Sequence, residues 1–235
     1  MARGKTFGQV VAATRAEAGQ SANTAVGRNT HDQVEQTVRR VYERLHGDFH
    51  WPHLAIERDV TVEAGQRYYS FPDDLDPDRV GDAWVLEHEG AHWRPVSYGI
   101  GPEHWNSHNP ERDERADPVR AWQRHNPGSG NKLMVEVWPL PDSSGGLLRL
   151  QGMPFPRSLT SDEDFVDLDD QAIALQAAGE ILARHNSADS EIKLQQAQSR
   201  VDMIRSHQHA SNPVFSMNPR RRTRPGGIQV RAPRT

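Results

Sequence analysis

The sequence predicts an α+β chain laid out as helices, an antiparallel β unit, further helices and an extended tail. Three observations carry that order. Val34, Val38, Val41 and Leu45 recur at spacings of four, three and four, the apolar stripe of one helix. From residue 56 to about 152 the period changes to two, with Val60 and Val62 alternating with polar neighbours. Beyond His207 no periodicity remains among the prolines, arginines and Gly226-Gly227.

A first helix is expected over residues 7–18, ended by Gly19. Asn29-Thr-His-Asp-Gln33 opens the second, with Thr30 as its cap and Gln33 reaching back to the cap's N–H. Gly47 closes it, leaving Phe49, Trp51-Pro52 and Leu54 to pack at the helix exit. In the β unit, Ala64-Gly-Gln66 supplies a turn before Tyr68-Tyr-Ser-Phe71. Short strands are expected near 79–86, 93–98, 119–123, 133–138 and 147–150. Turn formers such as Asn126-Pro-Gly-Ser-Gly130 and Asp142-Ser-Ser-Gly-Gly146 separate them. Residues 102–105 read as a helical turn.

After Pro154-Phe-Pro156 the helical period returns. Asp162, Glu163, Asp164, Asp167, Asp169 and Asp170 are expected to crowd a helix start, where carboxylates suit the positive dipole end. Ile173, Ala177 and Ile181 continue that helix to Asn186-Ser187. A last helix over about 188–207 carries Leu194, Ala197, Val201 and Ile204 at heptad spacing.

Composition narrows the function classes. Leu, Ile, Val and Phe supply 45 of the 235 residues and mean hydropathy is −0.81, so a modest core sits under much polar surface. Zero cysteines exclude disulfides, thiol catalysis and Cys-ligated metal centres. No apolar run reaches 18 residues, the length of a membrane-spanning helix, so no membrane partner is expected. Met1-Ala-Arg-Gly-Lys-Thr lacks the apolar stretch of a secretory signal, and synthesis in a cytoplasm is expected. Charge is uneven: residues 57–117 hold 15 acids against 6 bases, whereas residues 220–235 hold 6 arginines and no acid.

One motif raises catalysis. His88-Glu-Gly-Ala-His92 matches the zinc-protease signature, and Glu111 follows at the spacing of a third ligand. The chemistry needs a helix, since i and i+4 on one turn aim both imidazoles at one metal. Here Trp84-Val-Leu-Glu precedes, Trp93-Arg-Pro-Val follows and Glu89-Gly90 sits between, which reads as a hairpin. The match is taken as coincidental, and no catalytic residue, metal or cofactor is assigned. His50-Trp-Pro-His53 reads as a packed aromatic corner. No phosphate-cradling glycine loop or nucleophile elbow is present. The acidic run 162–170 lacks the glycine and closing glutamate of a calcium loop.

Phe49-His-Trp51-Pro52, Ala64-Gly-Gln-Arg-Tyr-Tyr-Ser-Phe-Pro72, Val135-Glu-Val-Trp-Pro139 and Leu168-Asp-Asp170 together resemble the head-to-tail adaptors of tailed bacteriophages, the neck or tail-tubular type, over roughly residues 30–205. The resemblance implies a helical bundle body (1–55 and 155–208), an inserted antiparallel β domain (56–154) and an extended basic C-terminal tail (209–235). It implies a structural virion protein, not an enzyme, forming a ring between portal and tail around a DNA channel. The ring is expected to be twelvefold to match the portal. Expected partners are the portal protein, tail or nozzle proteins, other copies of the chain and the passing genome.

On that reading Val214 and Phe215 anchor the tail on the portal. Arg220, Arg221, Arg222 and Arg224 pair with portal acids, and Ile228, Val230 and Arg231 belong to a stretch that adds as a strand to a neighbouring sheet edge. Two other classes compete: a nucleic-acid-binding accessory protein whose arginines grip phosphates, and a zinc hydrolase acting through His88, Glu89 and His92.

Overall fold

Thr6 starts the first helix with a reciprocal cap: its hydroxyl accepts from the Gln9 N–H, and its own N–H donates to the Gln9 side chain at 3.2 Å. In this computed structural model, which describes residues 4–20, 28–88, 91–128 and 132–211, that helix is α1 (Phe7–Glu17). Gly19, at φ +67°, takes the left-handed conformation that lets the chain leave it. The second helix, α2 (Arg28–Asp48), begins before Thr30. Thr30 therefore lies inside the helix instead of capping it, and Gly47 is its penultimate residue. The predicted stripe is sound: Val34, Val38 and Val41 are buried and Leu45 packs beside them.

Seven strands follow: β1 (Ile56–Val62), β2 (Tyr68–Ser70), β3 (Leu75–Leu86), β4 (Arg94–Tyr98), β5 (Ala121–His125), β6 (Met134–Trp138) and β7 (Gly146–Pro154). A short helix, α3 (Pro102–Ser107), lies between β4 and β5. Two long helices close the described chain, α4 (Asp170–Arg184) and α5 (Asp189–Ser211).

The strands form one sheet in the order β1-β7-β3-β4-β5-β6-β2. Its two edge strands, β1 and β2, are neighbours in sequence. Laid flat, six inter-strand gaps would separate them by about 29 Å. The chain from Val62 to Tyr68 reaches at most about 20 Å. The sheet must therefore curl until its edges approach, and Tyr69 fastens the seam. Its hydroxyl accepts from the Glu63 N–H at 3.1 Å and donates to the Gln66 carbonyl at 3.0 Å. Inside the curl lie Trp122, Leu148, Leu150, Val135 and Val137.

Two expectations are corrected. The helices do not form a helical bundle body. The core beneath them also contains Met153 from β7 and Leu159, Val166 and Leu168 from the extended segment after it, so the helices close only against the end of a nearly closed sheet. Nor is the β unit wholly antiparallel. Ser97 and Tyr98 of β4 pair in parallel with Ala121 and Trp122 of β5, because the crossover through α3 brings the chain back to the same end of the sheet.

The acidic run also departs from expectation. Only Asp169 and Asp170 stand at a helix start, Asp169 accepting from the Ala172 N–H at 3.0 Å. Asp164 instead caps the turn at Thr160 and Ser161, both N–H groups donating to it at 2.7 Å. Gly152 marks a close approach on β7, where a Cβ would meet the Arg79 carbonyl at 2.8 Å beside the irregular register of β3.

Candidate assembly interface

The helical layer is bolted to the sheet by an arginine. Arg79 of β3 points at the C-terminal end of α2, donating to the His46 carbonyl at 2.8 Å, to His46 Nδ1 at 3.1 Å and to the Phe49 carbonyl. A cation suits the negative end of the helix dipole. Burial, then the charge of Arg79, pushes the His46 imidazole below its ordinary pKa, and the same two causes lower His50. His46 is thus held neutral, accepting from Arg79 at Nδ1. Trp51 donates from Nε1 to the Leu45 carbonyl at 2.9 Å and meets the Phe49 ring edge-on at 5.0 Å, so the 50–53 segment is the aromatic corner its sequence predicts.

A second set of contacts fixes the two C-terminal helices. The Tyr42 hydroxyl donates to Asp167 at 2.8 Å, and burial followed by that carboxylate raises its pKa far above the phenol range. Arg200 of α5 grips Asp169 with two bonds, at 3.0 and 3.2 Å. Lys193 reaches Glu17 at 2.6 Å, linking α5 to the end of α1. Glu180 on α4 receives Arg40 and Arg44 from α2 at 2.6 and 2.7 Å; burial would raise its pKa, but the two guanidinium groups outweigh it. At Gly179 a Cβ would press on Leu194 at 2.8 Å, so α4 and α5 approach closely there.

At the β5–β6 side of the sheet a polar cluster is buried beneath α3. Glu136, 2% exposed, accepts from Arg67 at 2.7 Å and from Gln123 Nε2 at 2.7 Å. The Arg67 guanidinium lies over the rings of Trp105 (4.4 Å) and Tyr68 (5.0 Å). His104 and His108 pack edge-on against Trp138, whose indole donates to the His108 carbonyl at 3.0 Å. Strand alternation around Val135-Glu-Val137 points Glu136 away from the apolar face; nothing local to that strand announces the Arg67 guanidinium that holds it or the Trp105 ring stacked on that guanidinium.

The sequence candidates lie elsewhere. Val214, Phe215, Arg220, Arg221, Arg222, Arg224, Ile228, Val230 and Arg231 fall outside the described residues. So does Glu89. His88 and His92 are exposed at the end of β3 and before β4, two strands that pair antiparallel. The described residues around them are strand and turn, without the single helical turn that convergent imidazole ligands require. Among the described residues no group of three histidine or carboxylate side chains gathers to hold a metal ion, and no helix is long and apolar enough to cross a membrane.

What the geometry holds rigid is a set of long helix faces and a curled sheet, while its buried charges serve as clamps between elements. Such an arrangement can present shaped surfaces to other molecules. The family model described as SU10 adaptor protein matches residues 5–223, all the secondary structure described above and the start of the arginine run. No curated protein matches the chain.

Proposed function

Because the chain belongs to the SU10 adaptor protein family, whose members are structural adaptors of phage virions, we propose that it forms a ring in the neck of the particle, between portal and tail, with the genome passing through the centre. The extent of the family match carries the reading, since it runs from α1 through the sheet and both C-terminal helices into Arg220, Arg221 and Arg222. On this proposal the helical parts (1–55 and 155–208) face the portal, the β part (56–154) faces tail or nozzle proteins, and residues 209–235 extend onto the portal. The ring takes the portal's twelvefold symmetry.

Physical features support it. The clamps of Asp169 by Arg200 and of Glu17 by Lys193 fix α5, so the segment that follows leaves from a rigid origin. Val214 and Phe215 would anchor apolar contacts, and the arginines from 220 to 224 would orient on portal carboxylates, with Ile228, Val230 and Arg231 in an added strand. The acidic balance of residues 57–117 gives the β part a surface over which DNA slides without binding.

Truncation after Ala210 tests this. The expected result is an intact body that no longer co-purifies with portal particles and whose weak affinity for duplex DNA is unchanged. Retained portal binding overturns the docking assignment. Loss of a salt-sensitive DNA affinity instead transfers the arginines to phosphate binding.

A further inference from the structure

The outer face of the sheet carries aromatic and aliphatic side chains that its core does not use. Val60, Leu148, Leu150 and Val85 pack inward from β1, β7 and β3, so alternation turns their neighbours outward. Register sets those neighbours in rows. Asp59, Arg149, Trp84 and Pro95 form one across β1, β7, β3 and β4, with Thr61, Leu147 and Leu86 in the row beside it. Trp93, just before β4, joins the first row, its ring centroid 4.2 Å from the Arg149 guanidinium. Trp84, Leu86, Trp93 and Leu147 are half-buried and Pro95 is exposed. Tryptophan and arginine together are the residues that dominate protein-binding surfaces.

The rim of this face is acidic. Asp59 holds Arg149 at 2.7 Å, and Glu57 stands 3.5 Å from the same guanidinium. Asp82, exposed across Gln151 from Glu57, is in none of the ion pairs among the described residues. Glu87, next to Leu86, pairs with Arg94 at 3.1 Å. Four carboxylates thus meet two guanidinium groups, which leaves an excess of negative charge around the apolar rows. The occupant that such a face fits is cationic, with apolar side chains among its charges.

Residues 212–235, outside the described residues, have that composition: six arginines and no acid, with Val214, Phe215, Ile228 and Val230 among them. The described chain also ends on the sheet side of the helical layer. Arg205 of α5 lies over the Phe49 ring at 4.5 Å, and the Phe49 carbonyl accepts from Arg79 of β3. Ser211 stands about 9 Å further along α5. From Arg79, five residues of β3 lead to Trp84, about 17 Å away. The nine residues from 212 to Arg220 span up to about 30 Å, and the seventeen to Ile228 up to about 56 Å. The arginines and the apolar pair at 228 and 230 therefore reach the outer face without any movement of the body.

We propose that in the unassembled chain residues 220–231 lie across the outer face of the same chain's sheet, the arginines on Glu57, Asp82 and Glu87 and Ile228 against Trp84 and Trp93. Tethering favours this occupant over any free one. A short linker holds its end at an effective concentration in the millimolar range, so even a weak contact fills within one chain. The inference goes beyond the ring reading and does not need it. Where that reading holds, portal carboxylates compete for arginines already paired, and docking uncovers the tryptophan face.

The absence of cysteine makes a direct test possible. Gln229→Cys in the full-length chain takes a single bimane label, whose emission a tryptophan ring quenches at contact range. The expected result is quenched emission that does not change on dilution over about a hundredfold range, as an intramolecular contact requires. Quenching is expected to be lost when Trp84→Phe and Trp93→Phe are combined, with far-UV circular dichroism unchanged. Glu57→Gln with Asp82→Asn, which leaves both tryptophans in place, is expected to weaken it, as is salt at about 0.5 M, where charges are screened beyond about 4 Å. An unquenched label would overturn the proposal. Quenching that survives loss of both tryptophans, or of both acids, would place the segment elsewhere and overturn it as well. Quenching that fades on dilution would make the tail of another copy the occupant and overturn the assignment to the same chain. None of these outcomes bears on portal docking, which truncation after Ala210 tests separately.

Discussion

Arg79 donates to the main-chain carbonyl of His46 at 2.8 Å, so a residue in the first half of β3 closes the C-terminus of α2. The same guanidinium takes the Phe49 carbonyl and His46 Nδ1. One side chain thus satisfies acceptors at a helix end and sets where the helical layer meets the sheet.

Arg79→Ala is expected to destabilise the fold by about 2–4 kcal/mol, because two partly buried carbonyls lose their donor and the dipole its counter-charge. Arg79→Lys should recover only part of this, an ammonium being unable to span three acceptors in one plane. Urea denaturation of the three proteins reads the difference directly.

Acid should loosen the same junction. The folded state holds His46 and His50 below the ordinary imidazole pKa of 6.5, through burial and Arg79. Between pH 6.5 and the lowered values the unfolded chain binds protons that the folded chain does not, so stability falls as pH falls. Their contribution is complete above about pH 7 and is lost on descending below 6.5. The urea midpoint is expected to drop between pH 7.5 and 5.5. His46→Gln, which keeps an acceptor without a titrating group, should flatten that dependence.

The Arg67–Glu136 pair calls for a different comparison. Arg67→Ala leaves the buried Glu136 carboxylate, among the described residues, with Gln123 at 2.7 Å and the His125 imidazole at 3.8 Å, and a cost of about 3–5 kcal/mol is expected. Glu136→Gln keeps an acceptor for Arg67 and removes the buried charge, so it should cost less. Fluorescence of Trp105, whose ring the guanidinium covers, would report the local change alongside the denaturation curve.

Gly152→Ala should cost about 1–3 kcal/mol, since the added methyl meets main-chain atoms of Arg79 and Val80 that cannot turn aside. His92→Ala, by contrast, should stay within about 0.5 kcal/mol of the parent, because an exposed hairpin side chain leaves no cavity and no unpaired group. Thermal denaturation of the two variants separates a packing glycine from a surface histidine.

Much of the element order is readable from periodicity alone. The stripe of Val34, Val38 and Val41 and that of Ala197, Val201 and Ile204 are buried as a period of 3.6 requires, and the two-residue alternation locates every strand to within a few residues. The arrangement of those elements is another matter. The parallel meeting of β4 with β5 depends on a crossover of more than 20 residues, which no local pattern encodes. The helices look self-sufficient in sequence because their stripes are apolar, yet they need Met153 and Leu168 from outside to close their core. Asp169 stands at a helix start as its sequence predicts, but the partners that clamp Arg79, Glu136 and Asp169 (His46, Arg67 and Arg200 respectively) lie far off in sequence and leave no local signal. The interface predicted for the C-terminal arginines falls outside the described residues.

The central claim is that this chain is a ring of the virion neck. Cryo-electron microscopy of intact particles of its phage tests it most directly, by fitting α1–α5 and the curled sheet into the density beneath the portal. A ring of copies is expected there, twelve to match the portal, with residues 212–235 running onto the portal. Density for this fold at another site in the particle, or particles that contain no copy of the chain, would contradict it.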